Sequence, residues 1–404
     1  MHYCIISFQT HISGAFGGVS THVAELSNLL ISLGHEVTVI CPSHKHHFNI
    51  DYIEVVNEIS YYCIGNTSSQ ILNSSWKLKC RDVFMRLNES IRFRAVFLEG
   101  IASKFVVQEI IDHRIPCFAF LHNFGITHIY NVFKEIDTLK SFLYYCFRTV
   151  PRLIHKIISV ESPAFNLCTL VLSACNHNVK RVRKFYGVNE GRIKVIPNWV
   201  DTEKFAPSSQ LRVRGRRRWQ CQENELIFAL VGSLYRPKGF HFAIKSFSDF
   251  INRHNDACLL IAGIGRQEKQ LKDLAQKLGL IEGKNIKFLG EVKHTLLPLL
   301  YNAADILLVP SLLIEVLPYS LLEAMSCELP FIATTNAGCM EAAGNVGILI
   351  PSANVNAMTD AMFYLAQNKE ERTQIGRLAR ARVINQFSQR VAKDKINLIL
   401  RSFS

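Results

Sequence analysis

Two carboxylates separated by seven residues, Glu315 and Glu323, with Pro318 between them, form the stretch of this 404-residue sequence best suited to chemistry. They lie in PSLLIEVLPYSLLEAMSCELP, Pro310 to Pro330. Proline is favoured at the first helical position, where its missing N–H would have no intrahelical acceptor anyway. The spacing therefore predicts a helix opening at Pro318, with Glu315 in the loop before it and Glu323 in its second turn. The first N–H groups of a helix point outward and favour negative charge, so Tyr319 and Ser320 could hold a phosphate. A carboxylate on each side would then accept hydrogen bonds from sugar hydroxyls. The same pattern also fits an amphipathic helix with two solvated glutamates.

Other stretches place polar groups where a sheet could present them. ELIFALVGSLYRPKGFHFAIKSF reads as a strand, a glycine turn at Gly232 and a helix after Gly239, with Arg236 and Lys238 in the turn. A lysine ammonium beside a phosphate neutralises charge on a departing nucleotide, although lysine in an exposed turn is also commonplace. ACLLIAGIGRQEKQL reads as a strand followed by Gly263 and Gly265, which let backbone approach a ligand. Near the start, the strand YCIISF is followed by the turn glycines Gly17 and Gly18, then a helical stripe of Val19, Val23, Leu26 and Leu30, then the strand VTVI. Strand, glycine turn, helix and strand make the opening unit of nucleotide-binding α/β domains. AVFLEG and CFAFLHNFG read as two further buried strands, and His122 follows the second. Ligands of open α/β sheets bind at the carboxyl ends of strands, although a lone histidine there also fits a structural role.

Taken with these surroundings, E-x7-E after a PS dipeptide, followed by EAM and a proline, resembles the signature of family 4 retaining glycosyltransferases. LGHEVTVI after the GG turn, IKVIPNWVDTEKF, the G-S-L-x-x-x-K-G pattern ending at Gly239, Gly338 with Glu341, and FSQRVA extend the resemblance along nearly the whole chain. It implies an α/β fold of two Rossmann-like domains facing across a cleft (GT-B), with a C-terminal helix returning to the first. The expected boundaries are 1–190 plus 386–404 for the first domain and 191–385 for the second. The implied reaction moves a sugar from a nucleotide diphosphate sugar to an acceptor hydroxyl with retained configuration.

By the same resemblance, His122 and Glu315 contact the donor sugar, and Glu323 accepts hydrogen bonds from the ribose. Lys238 and the N–H groups of Tyr319 and Ser320 stabilise the departing phosphate, with Gly17, Gly18 and Gly263 near the donor. The family's usual arginine after the first glycine is Ser233 here, and Arg236 is the candidate to replace it. Trp199 and Ala337 stand at positions where glycine is common, and Glu328 with Leu329 precede Pro330 where the family prefers glycine. Asn198 and Asp201 are expected to be structural.

Composition bounds the alternatives. With 49% hydrophobic and 20% charged residues the chain is a folded globular protein of two-domain length. The net charge of +13 attracts anions: a phosphorylated substrate, an acidic membrane or nucleic acid. No aromatic-rich RNA platform is visible, so no nucleic-acid partner is expected. The basic run RVRGRRRW, Arg212 to Trp219, reads as an exposed loop.

Residues 126–166 alternate Lys134, Lys140, Arg148, Arg152 and Lys156 with aromatic and aliphatic residues. Such a segment suits an anionic bilayer, and equally an ordinary packed helix. No apolar run reaches the ~18 residues of a membrane helix, and the opening MHYCIISFQTH reads as a strand and not a signal peptide. A cytoplasmic protein is expected, peripheral on the inner membrane face, with a carbohydrate or lipid-linked acceptor in surface polysaccharide or glycolipid assembly. The twelve scattered cysteines read as reduced thiols. No D-x-D triplet occurs, so neither metal nor cofactor is expected. The competing readings are a sugar-nucleotide epimerase of the same fold and a non-catalytic basic binding protein. Residues 43–94 show no readable period.

Overall fold

Short apolar runs alternating with amphipathic helices build two parallel-dominated sheets. The computed structural model describes every residue except 15–16, 44–49, 66–73, 101–103, 123–138, 255, 313–315 and 404. The chain divides into one unit of Met1–Pro197 with Lys395–Ser404 and another of Asn198–Asp394. The expected boundaries fell slightly earlier in the chain at both crossings. The second crossing lies inside the last helix, Gln389–Arg401.

The first unit holds β1 (His2–Ser7), β2 (Glu36–Pro42), β3 (Tyr52–Val56), β4 (Ile59–Ile64), β5 (Ala95–Glu99), β6 (Cys117–Leu121), β7 (Leu170–Ser173) and β8 (Ile193–Val195). Their order in the sheet is β3-β4-β2-β1-β5-β6-β7-β8. Every pairing is parallel except that of β3 with β4. Strands β5 and β6 are buried throughout, as expected where helices cover both faces of a sheet.

Periodicity missed the helix Ser74–Ile91 and the hairpin of β3 and β4. Asn57 and Glu58 have φ of 48° and 65°, and Val56 pairs with Ile59, a two-residue turn of the kind that asparagine favours. Strand β3 lies at the sheet edge and is mostly exposed, so neither face needs an apolar pattern.

The second unit holds β9 (Leu226–Val231), β10 (Ala257–Ala262), β11 (Ile286–Gly290), β12 (Ile306–Val309), β13 (Phe331–Thr334) and β14 (Ile348–Ile350). The order β11-β10-β9-β12-β13-β14 is that of a dinucleotide-binding sheet, with its direction of growth reversing between β9 and β12. Alternate residues of β9 face opposite cores. Ile227 and Ala229 pack with Leu321 and Met325, whereas Phe228 and Leu230 pack with Phe247 and Phe250. Each such fully buried large side chain contributes roughly 1.5–3 kcal/mol.

The basic run is not an exposed loop. Residues Ser209–Arg218 form a helix whose cap, Ser208, accepts from Leu211 N–H at 3.2 Å. Arg212 and Arg216 each donate to one oxygen of Asp305, at 2.6 and 2.7 Å, and Asp305 also accepts from Ile227 N–H at 2.7 Å. Arg216 is buried and also donates to the carbonyls of Gln222, Glu223 and Glu225. A carboxylate taken from water at the start of β12 needs such partners, which is why these arginines turn inward.

Three positions noted in the sequence have structural explanations. Glu328 has φ of 58°, so the glycine-favouring backbone is retained although glycine is not. Asn198 donates to Leu317 O at 2.8 Å, and Asp201 accepts from Glu203 and Lys204 N–H at 3.0 Å.

Candidate functional site

In the second unit the chain leaves β9 through Gly232 into a short 3-10 turn, Arg236–Lys238, closed by Gly239 with φ of 75°. A Cβ on Gly239 would stand 2.0 Å from Pro310 O, and Leu312 N–H donates to Pro237 O at 2.8 Å. The lysine turn is thus locked against the segment leaving β12, at the point where the sheet order reverses. Open α/β sheets bind ligands in this crevice. Arg236 is exposed and Lys238 half-buried. Burial, and after it the nearby Arg236 and Lys245, push His241 down to about 4.

Neighbouring loops stiffen the same rim. Thr334 Oγ1 donates to Ser311 O at 2.6 Å, and Asn336 Nδ2 donates to Thr334 Oγ1 at 3.0 Å. Gly263, expected from sequence to admit a nucleotide, has φ of 147°, and a Cβ there would lie 1.8 Å from Gly232 O. Contact between two loops already requires glycine at that position.

The segment from β12 leads into the helix Tyr319–Ser326. Pro318 is its N-cap, with ψ of 123°, one step before the first helical position expected for it. Intrahelical donors begin at Leu321 and Leu322, which both bond to Pro318 O at 3.2 Å, so Tyr319 and Ser320 supply the first two N–H groups. Glu323 falls in the second turn and is only 3% exposed. Its Oε2 accepts from Tyr301 Oη–H and its Oε1 from His294 Nε2, both at 2.8 Å. Lys204 Nζ donates to His294 Nδ1 at 3.0 Å, which makes Nε2 the protonated nitrogen of a neutral ring. Burial, followed by the nearby Glu323, raises Tyr301 well above the usual tyrosine range and keeps it a donor. A carboxylate has about four lone-pair positions, so these two bonds leave room for two more.

No pattern in the sequence joined His294, Tyr301 or Lys204 to Glu323; only the general need of a buried carboxylate for donors could have prompted the search. Glu315 lies outside the described residues, as does Lys134.

The first unit has its own polar cluster where its sheet order reverses, between β1 and β5. Glu99 ends β5, His122 follows β6, and His22 sits on the helix Gly18–Ser32 that follows β1. Gly17 caps that helix with φ of 125° and has nothing within 4 Å of a built Cβ; Gly18 is its first residue. His22 Nδ1 lies 3.0 and 3.1 Å from the two oxygens of Glu99, and His122 Nε2 also bonds Glu99 Oε2. The side chains of His22 and Glu99 are fully buried and that of His122 is 10% exposed.

The His122 ring stacks at 13° on Phe120 and meets the His22 ring edge-on, with centroids 4.4 Å apart. Burial alone would raise the Glu99 carboxyl, but the two imidazoles and their hydrogen bonds hold it down at about 2. Burial lowers His22 below the usual histidine range against the pull of Glu99, leaving it neutral. The three side chains offer ligand atoms within 4.8 Å of one another, the one group so spaced for a metal among the described residues; hydrogen bonding already accounts for the spacing. Sequence reasoning found His122 and missed the other two, although an acid closing the apolar strand AVFLE was a usable signal.

The family descriptions "Glycosyl transferases group 1" and "Glycosyltransferase Family 4" match residues 214–382 and 16–204. The chain belongs to the group 1 glycosyltransferases. It is 26% identical, over 234 residues, to a GDP-mannose-dependent monoacylated alpha-(1-6)-phosphatidylinositol monomannoside mannosyltransferase of Corynebacterium glutamicum, covering 56% of this chain and 60% of that protein. The chain spans about half the length of the curated relatives it matches.

Among solved structures, sucrose-phosphate synthase from Thermosynechococcus elongatus superposes with a TM-score of 0.79 at 17% identity, covering 99% of this chain and 98% of that one. HepE from Anabaena, solved with UDP-glucose, superposes with a TM-score of 0.75 at 17% identity and full coverage of both chains. These likenesses establish the GT-B class, with two Rossmann-like domains. No helix among the described residues is long and apolar enough to cross a membrane.

Proposed function

We propose that this group 1 glycosyltransferase moves a sugar from a nucleotide diphosphate donor to an acceptor hydroxyl with retained anomeric configuration. The carrying observation is the lock of the Lys238 turn onto Pro310 and Leu312, which precede the helix at Tyr319 in the chain. It supports a site where a cation and helix N–H donors meet one diphosphate. Lys238, Arg236 and the N–H groups of Tyr319 and Ser320 would take up the negative charge that grows on the leaving phosphate, with no metal assigned. Glu323 would use its remaining lone pairs on the ribose hydroxyls. By family resemblance Glu315 and His122 contact the sugar, Gly17, Gly18 and Gly263 lie near the donor, and the departing phosphate takes the acceptor proton.

The acceptor we propose is lipid-linked, in polysaccharide or glycolipid assembly at the cytoplasmic membrane face. Support comes from the phosphatidylinositol mannoside acted on by the Corynebacterium relative. It also comes from the exposed side chains of Leu143, Phe147, Ile154 and Ile158, accompanied by Arg148 and Arg152. Such a mixture suits an anionic bilayer.

Incubation with a panel of nucleotide sugars and a lipid extract, with products read by mass spectrometry, tests the proposal. Donor-dependent transfer supports it. An isomerised donor sugar without transfer would instead indicate an epimerase, and no donor binding a binding protein.

A further inference from the structure

Glu99 has no assigned part in the reaction, yet it is the most enclosed acid near His122. It is fully buried at the end of β5 and accepts hydrogen bonds from both His22 and His122. We infer that Glu99 is a positioning residue for His122: it holds Nε2–H, so that the ring is fixed and Nδ1 is the nitrogen presented to the donor sugar. The inference rests on the proposed transfer for its catalytic consequence, but not for its structural one.

Three observations carry it. His122 Nε2 bonds Glu99 Oε2, which leaves Nδ1 as the ring nitrogen that can meet a ligand. The ring is also pinned by its stack on Phe120 and its edge contact with His22, so it cannot turn over without repacking. Finally, His22 Nδ1 lies within 3.1 Å of both Glu99 oxygens and gives the carboxylate a second anchor. A carboxylate is acceptor-only and can take an N–H from each histidine. A glutamine at 99 puts a donor NH2 at one of the two oxygen positions, where it must face a histidine N–H, because His22 Nδ1 lies 3.0 and 3.1 Å from both of them. One histidine would have to change tautomer.

The test uses the full chain labelled with 15N-histidine, with His122 assigned by its loss in His122→Asn. Wild type should show His122 protonated on Nε2. An Nδ1–H tautomer in wild type overturns the inference without any further variant, whatever the enzyme transfers. Glu99→Gln should shift the tautomer of His122 or His22 and lower kcat by about 10²-fold, with donor KM changed less than about threefold, because misplacing a contact group affects the chemical step most.

Glu99→Asp keeps the charge and should lose less. A Glu99→Gln protein with both tautomers and kcat unchanged defeats the idea, even if its melting temperature falls. Should Glu99→Gln not fold, His22→Gln keeps the His122 bond and should retain the Nε2–H tautomer. If wild type transfers no sugar from any donor, the function proposal fails, while the tautomer measurement still decides the role of Glu99.

Discussion

The hydroxyl of Tyr301 donates to Glu323 Oε2 at 2.8 Å, both groups buried in the second unit. Glu323 was legible in the sequence as half of a carboxylate pair, but its setting was not. The structure gives it Tyr301 on one oxygen and His294 on the other. Tyr301→Phe removes one donor and leaves that oxygen short of a partner. A loss of about 1–3 kcal/mol in unfolding free energy is expected by urea titration, together with weaker nucleoside diphosphate binding. Unchanged stability would show that water replaces the hydroxyl without cost.

Gly263 and Gly279 separate two reasons for glycine. At 263 a Cβ would run into Gly232 O, whereas at 279, with φ of 77°, nothing lies within 4 Å. Gly279→Ala should cost only the left-handed penalty of about 1 kcal/mol. Gly263→Ala should cost several times more, or prevent folding, because backbone and not a flexible side chain blocks it. Thermal melts of the two proteins make the comparison, and equal losses would contradict it.

Acid should act on the first unit through Glu99 and His22. The folded Glu99 carboxyl sits at about 2 against an ordinary 4.5, so between these values the unfolded chain binds the extra proton. Its contribution is present above pH ~4.5 and lost as pH falls towards 2, on the order of 3 kcal/mol. His22, lowered from 6.5, has the same sign and begins to act below that pH. Denaturant titrations from pH 7 to 3 should show stability falling with acid, and Glu99→Gln should flatten the slope below pH 4.5. A slope unchanged in that variant would place the acid sensitivity elsewhere.

Arg236 is proposed as the cation that stands in for an arginine at position 233. Arg236→Ala should weaken binding of a nucleoside diphosphate about tenfold or more, as loss of a charge-assisted hydrogen bond does. Adding Ser233→Arg should recover most of it, since Ser233 is exposed and follows the same Gly232 turn. Calorimetry with UDP and GDP measures both. If the single variant binds as well as wild type, Arg236 is not that cation.

Local pattern was enough to read most strands, the glycine turns, the helix that carries Glu323, and His122 at a strand end. These follow from spacing along the chain: apolar runs that must be buried, and turn residues with special backbone freedom. Where spacing carried no signal, the reading failed. The exposed edge strand β3 needs no apolar face, and Arg212 and Arg216 of RVRGRRRW turn toward Asp305, about ninety residues later, because that carboxylate, largely taken from water, needs cations.

What the tertiary structure alone decided is which distant groups share a site. The order of strands brings the end of β9 beside the end of β12, and that of β1 beside β5, placing the Lys238 turn against Pro310 and Leu312 and Glu99 between His22 and His122. Hydrogen bonds between residues tens of positions apart depend on how strands are ordered across a sheet. Sequence spacing records only how they are ordered along the chain.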